Sequence, residues 1–280
     1  MDRNYSPMIS RRPIVMYFVL TFAVSWTAAL AVVAPRLRSG LPVPALTGIL
    51  MFPAMLLGPS LVGLFVTWRL DGRTGLRDLF RRMVSVPAFS TWYAALLIPP
   101  MAVLAVLLLL KTLVSSVYCP NHFLAGVAFG VPAGILEEIG WTGFAYPRMR
   151  DTLGTFKAGV VLGCLWSLWH LPVIDFLGAA RPHGVYLPAF FFSFLTAMTA
   201  IRVLIGWMYV QTQSVILAQL MHISSTGALV VFGPFRVTAQ QETFWYFCYG
   251  FALWTIVAIM GFAQNRSRLR GSSISLLALK

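Results

Sequence analysis

Charge is scarce in this sequence: 10% of its 280 residues are Asp, Glu, Lys or Arg, and only 8 are acidic. Soluble globular chains carry about a quarter charged residues, so an ordinary soluble domain and a disordered chain are both excluded. Cysteine is scarcer still. Cys119, Cys164 and Cys248 form no CxxC pair, which leaves neither a disulfide framework nor a zinc ribbon. No HExxH run occurs, so the sequence has no zincin helix. Without a low-complexity tail or an internal repeat, the chain reads as a single integral-membrane domain over 1–280.

What fills the sequence instead is apolar: 59% of its residues are hydrophobic. Long apolar runs cover roughly 13–35, 45–68, 91–115, 123–145, 158–175, 186–205, 207–231 and 243–263. A membrane helix needs ~20 apolar residues, so the runs predict an all-α, polytopic membrane helix bundle of about eight transmembrane helices with an intramembrane cavity. The first run exceeds the ~7–15 residues of a signal-peptide core, and we expect a retained span there.

Lys and Arg number 21 against those 8 acids, a net charge of +13. With the N-terminus inside, Arg3, Arg11, Arg12, Arg69, Arg73, Arg77, Arg81, Arg82, Arg148, Arg150, Lys157, Arg202, Arg266, Arg268, Arg270 and Lys280 fall on the inner side, 16 in all. Arg36, Arg38, Arg181 and Arg236 fall outside, and Lys111 lies in the third span. Such a split follows the positive-inside rule and predicts a plasma or inner membrane protein with both termini cytoplasmic. The partner implied is the lipid bilayer, with no nucleic acid. Residues 69–85, RLDGRTGLRDLFRRMVS, repeat arginine at i, i+4 and read as an interfacial amphipathic helix.

Acids inside the hydrocarbon region cost about 2.5–3.5 kcal/mol each on insertion scales and are commonly functional. Only Glu137 and Glu138 fall within a span. Histidine sorts the same way: His122 and His183 lie at outside loops, where solvation explains them, whereas His170 and His222 lie in the fifth and seventh spans. Gly126, Gly130 and Gly134, with Gly159 and Gly163, carry the four-residue spacing that lets membrane helices approach closely.

The residue types admit several chemistries. A carboxylate in low dielectric is a better proton acceptor near neutral pH than a solvated one, and with a histidine across a water it can activate that water. A second histidine, with a hydroxyl one turn away, can donate to the developing oxyanion. One Glu and two His are also the ligand set of a catalytic zinc site. Proton-coupled transport and purely structural pairing use the same residues.

Local sequence separates these readings. EEIGWTGFAYPRM at 137–149 resembles the first signature of the CPBP family, the type II CAAX prenyl endopeptidases and their bacteriocin-processing and self-immunity (ABI-like) relatives. WSLWHLP at 166–172 resembles the second, and GWMYVQTQSVILAQLMHISSTG at 206–227 the third and fourth. The resemblance covers about 60–230, with the signatures in 137–227. It implies an intramembrane endopeptidase whose cavity opens toward the cytoplasm. Glu137 would activate water with His170, Glu138 would be its supporting partner, and His222 would be the oxyanion donor. Thr226, Trp166 and Arg148 would give oxyanion or substrate support. The implied substrate is a membrane-associated peptide, hydrophobic or lipidated (a prenylated one included). No cofactor is required by a glutamate mechanism, while the metalloprotease label of the family would place zinc on Glu137, His170 and His222. Two positions depart from the signatures: Thr142 stands where an arginine is usual, and Thr226 where an asparagine is usual. A degenerate member acting as a membrane binding or immunity protein, and an ion-coupled transporter, remain the alternatives.

Overall fold

The structure, a computed structural model, describes residues 11–87 and 92–277. Asp2, Arg3 and Lys280 of the charge count lie outside the described residues, as do the side chains of Arg11, Arg268 and Arg270. Eleven α-helices follow in order: α1 Arg11–Arg38, α2 Ala45–Met55, α3 Leu57–Val84, α4 Trp92–Ala95, α5 Ile98–Leu113, α6 Val127–Gly140, α7 Tyr146–Leu153, α8 Thr155–Trp169, α9 Leu187–Thr212, α10 Val215–Phe232 and α11 Ala239–Leu277. No strand occurs among the described residues. Seven helical stretches are long and apolar enough to cross a membrane, and α8 is a shorter apolar helix beside them. The all-α membrane bundle expected from the apolar runs is therefore present. Large apolar side chains such as Val19, Phe65, Phe192, Phe251 and Phe262 point outward, as a lipid-facing surface requires.

Following the helices back and forth gives the bundle two ends. One end gathers the α3 terminus, the α7–α8 turn and the α9–α10 turn. The other gathers the connections 39–44, 114–126, 170–186 and 233–238. The first end is arginine-rich and the second arginine-poor. One boundary differs from the expectation: the runs 186–205 and 207–231 were divided at Gly206, but α9 continues unbroken to Thr212. The turn comes at Gln213, which adopts a left-handed φ of 51°. Gly206 serves packing instead, since a Cβ there would meet the Tyr146 ring at 2.6 Å. This places Arg202 in mid-helix, fully buried, and removes it from the inner loops, so the sixteen inner basic residues become fifteen.

The helix expected over 69–85 is present: Gly72 (φ 63°, ψ −153°) interrupts α3 with non-helical geometry, the chain is helical again to Val84, and Leu79 on that stretch is buried. Asp78 pairs with Arg81 and Arg82, and Arg82 reaches across to the Gly143 carbonyl at 3.1 Å and the Tyr209 hydroxyl at 2.8 Å.

Helix α6 lies along α10, α8 along α9, and α9 along α11. The glycine spacing on α6 sets the first of these contacts. A Cβ on Gly130 would come within 2.9 Å of the Gly227 nitrogen, and one on Gly134 within 2.8 Å of the Gln219 carbonyl. The backbones are so close that Glu137 and Glu138, one turn further on, stand directly against α10. Gly134→Ala is expected to destabilise the protein by about 1–3 kcal/mol through overpacking, read as a lowered thermal midpoint in detergent.

Candidate active site

The Glu-Glu pair ends α6 at a π-helical turn, Trp141–Ala145, with Pro147 just beyond it. Proline has no N–H to offer the carbonyl four residues back, so the Gly143 oxygen is left to accept from Arg82. Single-turn π segments of this kind are frequent at functional sites.

Adjacent residues on a helix point about 100° apart, and here the two carboxylates enter different surroundings. Glu137 is fully buried and lines a cavity of about 410 Å³. Its Oε2 accepts from Trp166 Nε1 at 2.6 Å and Trp141 Nε1 at 3.0 Å, while its Oε1 has no partner. Two indoles thus fix the carboxylate and leave one oxygen available. Glu138 is saturated instead. Its Oε1 accepts from Arg202 Nη2 and from His222 Nδ1, both at 2.7 Å. Its Oε2 accepts from Arg202 Nη1 at 2.8 Å and from the Thr142 hydroxyl.

Both histidines line the same cavity as Glu137, together with Trp166 and Thr226. His170 sits 2.8 Å through Nδ1 from the Trp166 carbonyl, one turn back on α8. A carbonyl only accepts, so Nδ1 carries the proton and Nε2 is the acceptor nitrogen. The Phe52 ring stacks on the His170 imidazole at 5.9 Å, and Phe194 packs edge-on at 5.3 Å. In His222 the Glu138 contact fixes the Nδ1–H form in the same way, leaving Nε2 free. The Trp166 ring lies between the histidines, 5.6 Å from His170 and 5.1 Å from His222.

The structure therefore brings together Glu137, Glu138, His170, His222, Trp166 and Thr226, and it does not bring in Arg148. That side chain pairs with Asp71 and covers the Phe144 ring, lining a second cavity of about 510 Å³ at the arginine-rich end. Glu138 stands beside His222 and Arg202, with no hydrogen bond to Glu137. Among the described residues no three His, Cys, Asp or Glu side chains are arranged to hold a metal ion. The set Glu137, His170 and His222 thus does not stand as a preformed zinc cage.

Two features escaped the sequence. Arg202 counts among the inner loop cations in the sequence, yet it lies within α9. The signal that could have found it was the unbroken apolar character on both sides of it. The second is beside the cavity, where His183 is buried, not solvated. Its Nδ1 is 3.0 Å from Asp175 Oδ1, its Nε2 is 3.4 Å from Glu242 Oε2, and its ring stacks on Phe190 at 3.9 Å. Glu242 also accepts from the Ala179 and Ala180 amides at 2.9 and 2.8 Å, tying α11 to the loop that borders the cavity. Burial pulls the His183 pKa down, but the bonds and charges of Glu242 and Asp175 outweigh it and raise the value above the ordinary 6.5. A raised folded-state pKa gives stability that is complete below the unfolded value and lost as pH rises through the folded one. The thermal midpoint should accordingly fall as pH climbs past the raised His183 value, and His183→Gln should flatten that dependence.

The cavity extends toward the arginine-poor end, where Gly178, Arg181, Gly233, Phe235 and Glu242 line it.

Residues 119–228 match the family described as type II CAAX prenyl endopeptidase Rce1-like. The chain is also 30% identical over 93 residues to CAAX prenyl protease 2 of Methanococcus maripaludis, an alignment covering 32% of this chain and 34% of that protein. The chain thus spans about a third of the length of the curated relative it matches. Both similarities support the family resemblance carried by the signatures at 137–227, and Glu137, Glu138, Trp166, His170, Arg202, His222 and Thr226 all fall within 119–228.

Proposed function

We propose, taking the type II CAAX prenyl endopeptidase family of residues 119–228 as premise, that this integral membrane protein is an intramembrane endopeptidase cutting a hydrophobic or lipidated peptide. The observation that carries the reading is the unequal treatment of two adjacent acids: Glu137 keeps one oxygen free in the cavity while Glu138 is fully engaged behind it. Paired carboxyl groups in contrasting surroundings take different tasks, here proton transfer for Glu137 and support of His222 for Glu138. A water in the cavity loses a proton to Glu137 Oε1, with the acceptor nitrogen Nε2 of His170 holding that water. The hydroxide forms a bond to the scissile carbonyl carbon, and the carbonyl π pair moves onto oxygen. His222, once its free Nε2 has taken a proton from solvent, donates that Nε2–H to the oxyanion, and the Glu138 carboxylate offsets the charge. When the C–N bond breaks, the proton held by Glu137 goes to the leaving amine. The Thr226 hydroxyl, on the cavity wall, is the second candidate donor to the oxyanion. No metal is required by this sequence of steps.

The positive-inside rule supports a cytoplasmic location for the arginine-rich end and both termini, in a plasma or inner membrane. The cavity then extends toward the opposite face, and substrate reaches it from there or laterally from lipid. Mass spectrometry on purified protein in liposomes, with prenylated and unmodified hydrophobic peptides and with or without chelator, tests the reading. Discrete peptide products that persist with chelator are expected. Proton-coupled flux without any peptide product would instead establish the transporter reading.

A further inference from the structure

The sequence puts Thr142 where the first signature usually has an arginine, and the site nevertheless contains a buried guanidinium. It comes from another helix. Arg202 of α9 is fully buried, grips Glu138 through both terminal nitrogens at 2.7 and 2.8 Å, and stands 3.4 Å from the Thr142 hydroxyl. Its guanidinium also lies 4.5 Å over the Trp166 ring, the same indole that donates to Glu137.

We infer that Arg202 is a positioning residue of the reaction: its paired contact with Glu138 fixes the Nδ1–H form of His222 and aims the other ring nitrogen into the cavity. This role rests on the endopeptidase reading for its catalytic meaning, but its geometry stands apart from any substrate. A carboxylate has two oxygens and can rotate. Arg202 takes one contact on each, so the fork-to-fork pair holds the plane of the Glu138 carboxylate. His222 then meets Oε1 in one orientation, and a carboxylate oxygen accepts only from a protonated nitrogen. With the guanidinium gone, Glu138 is free to turn toward Thr142, and His222 Nδ1 loses the acceptor that selects its tautomer. A buried arginine in lipid is expensive, and a site that used it only to neutralise one acid could have dispensed with both. Thr142 already touches Glu138, so an arginine at 142 would approach the same carboxylate from α6's own turn.

The test uses the full-length protein in bicelles with 15N-labelled histidine, the His222 signals being assigned by loss in His222→Gln. Wild type should show a protonated Nδ1 and an unprotonated Nε2 at His222. In Arg202→Met these should give way to mixed tautomers, with kcat for peptide cleavage lower by about 100-fold or more and KM little changed. The relocated pair R202M/T142R should recover the Nδ1–H form and most of the lost rate, and Arg202→Lys, which cannot grip both oxygens at once, part of each. If Arg202→Met does not fold, Arg202→Lys and the relocated pair are read in its place. A folded Arg202→Met with the wild-type tautomer and rate overturns the proposal, as does failure of both rescuing variants to fold or to restore the tautomer. If wild type shows the tautomer pattern but cleaves nothing, the endopeptidase reading fails while the positioning contact stands.

Discussion

If Glu137 is the general base proposed above, replacing it by glutamine should lower kcat for peptide cleavage by about 10²- to 10⁴-fold, the range a positioned general base contributes. The substitution keeps shape and one accepting oxygen, so the Trp141 and Trp166 indoles retain a partner and the helix end stays in place. What it removes is the proton affinity of the free oxygen. KM should move little, because on that reading Glu137 acts on water and makes no contact that binds the peptide before reaction. The measurement is a progress curve on protein shown to be folded by its unchanged thermal midpoint. Cleavage at the wild-type rate in the glutamine variant would show that some other group activates the water.

Removing Glu138 has its largest effect on the fold. Glu138→Leu leaves the Arg202 guanidinium buried without its counter-ion, and breaking a buried pair from one side costs about 3–5 kcal/mol. The double variant Glu138→Leu, Arg202→Leu should recover most of that loss, since well-packed apolar side chains replace buried ion pairs at little cost. Activity should not return with stability. The two variants together separate holding the bundle from serving the reaction. Thermal unfolding in detergent gives the first quantity and peptide turnover the second. A double variant that is both stable and fully active would leave the Glu138–Arg202 pair without a catalytic purpose.

Much of this site was legible before any coordinates. Glu137, Glu138, His170 and His222 stood out because each is a polar group in an apolar run, and the hydrocarbon region makes such groups costly enough to be informative. The glycine spacing on α6 announced a close helix contact and delivered one against α10. What escaped detection shares a physical cause. Arg202 and His183 were read by their distance along the chain from an apparent loop, but burial is decided by which elements pack around a residue. Arg202 gains Glu138 from 64 positions away, and the partner of His183 on α11 is 59 positions further along. Arg148 failed in the opposite way: a sequence signature included it, yet α7 turns it toward Asp71 at the end of the bundle remote from the cavity.

The cavity that contains Glu137 and the one beside Arg148 share no lining residue, and the packed layer of Trp141, Thr142, Phe144 and Arg202 is buried between them. That layer walls the Glu137 cavity off from the arginine-rich end, so on the proposed reading whatever enters or leaves passes through its other walls, and the polar clasp of His183, Asp175 and Glu242 holds one of those walls in place.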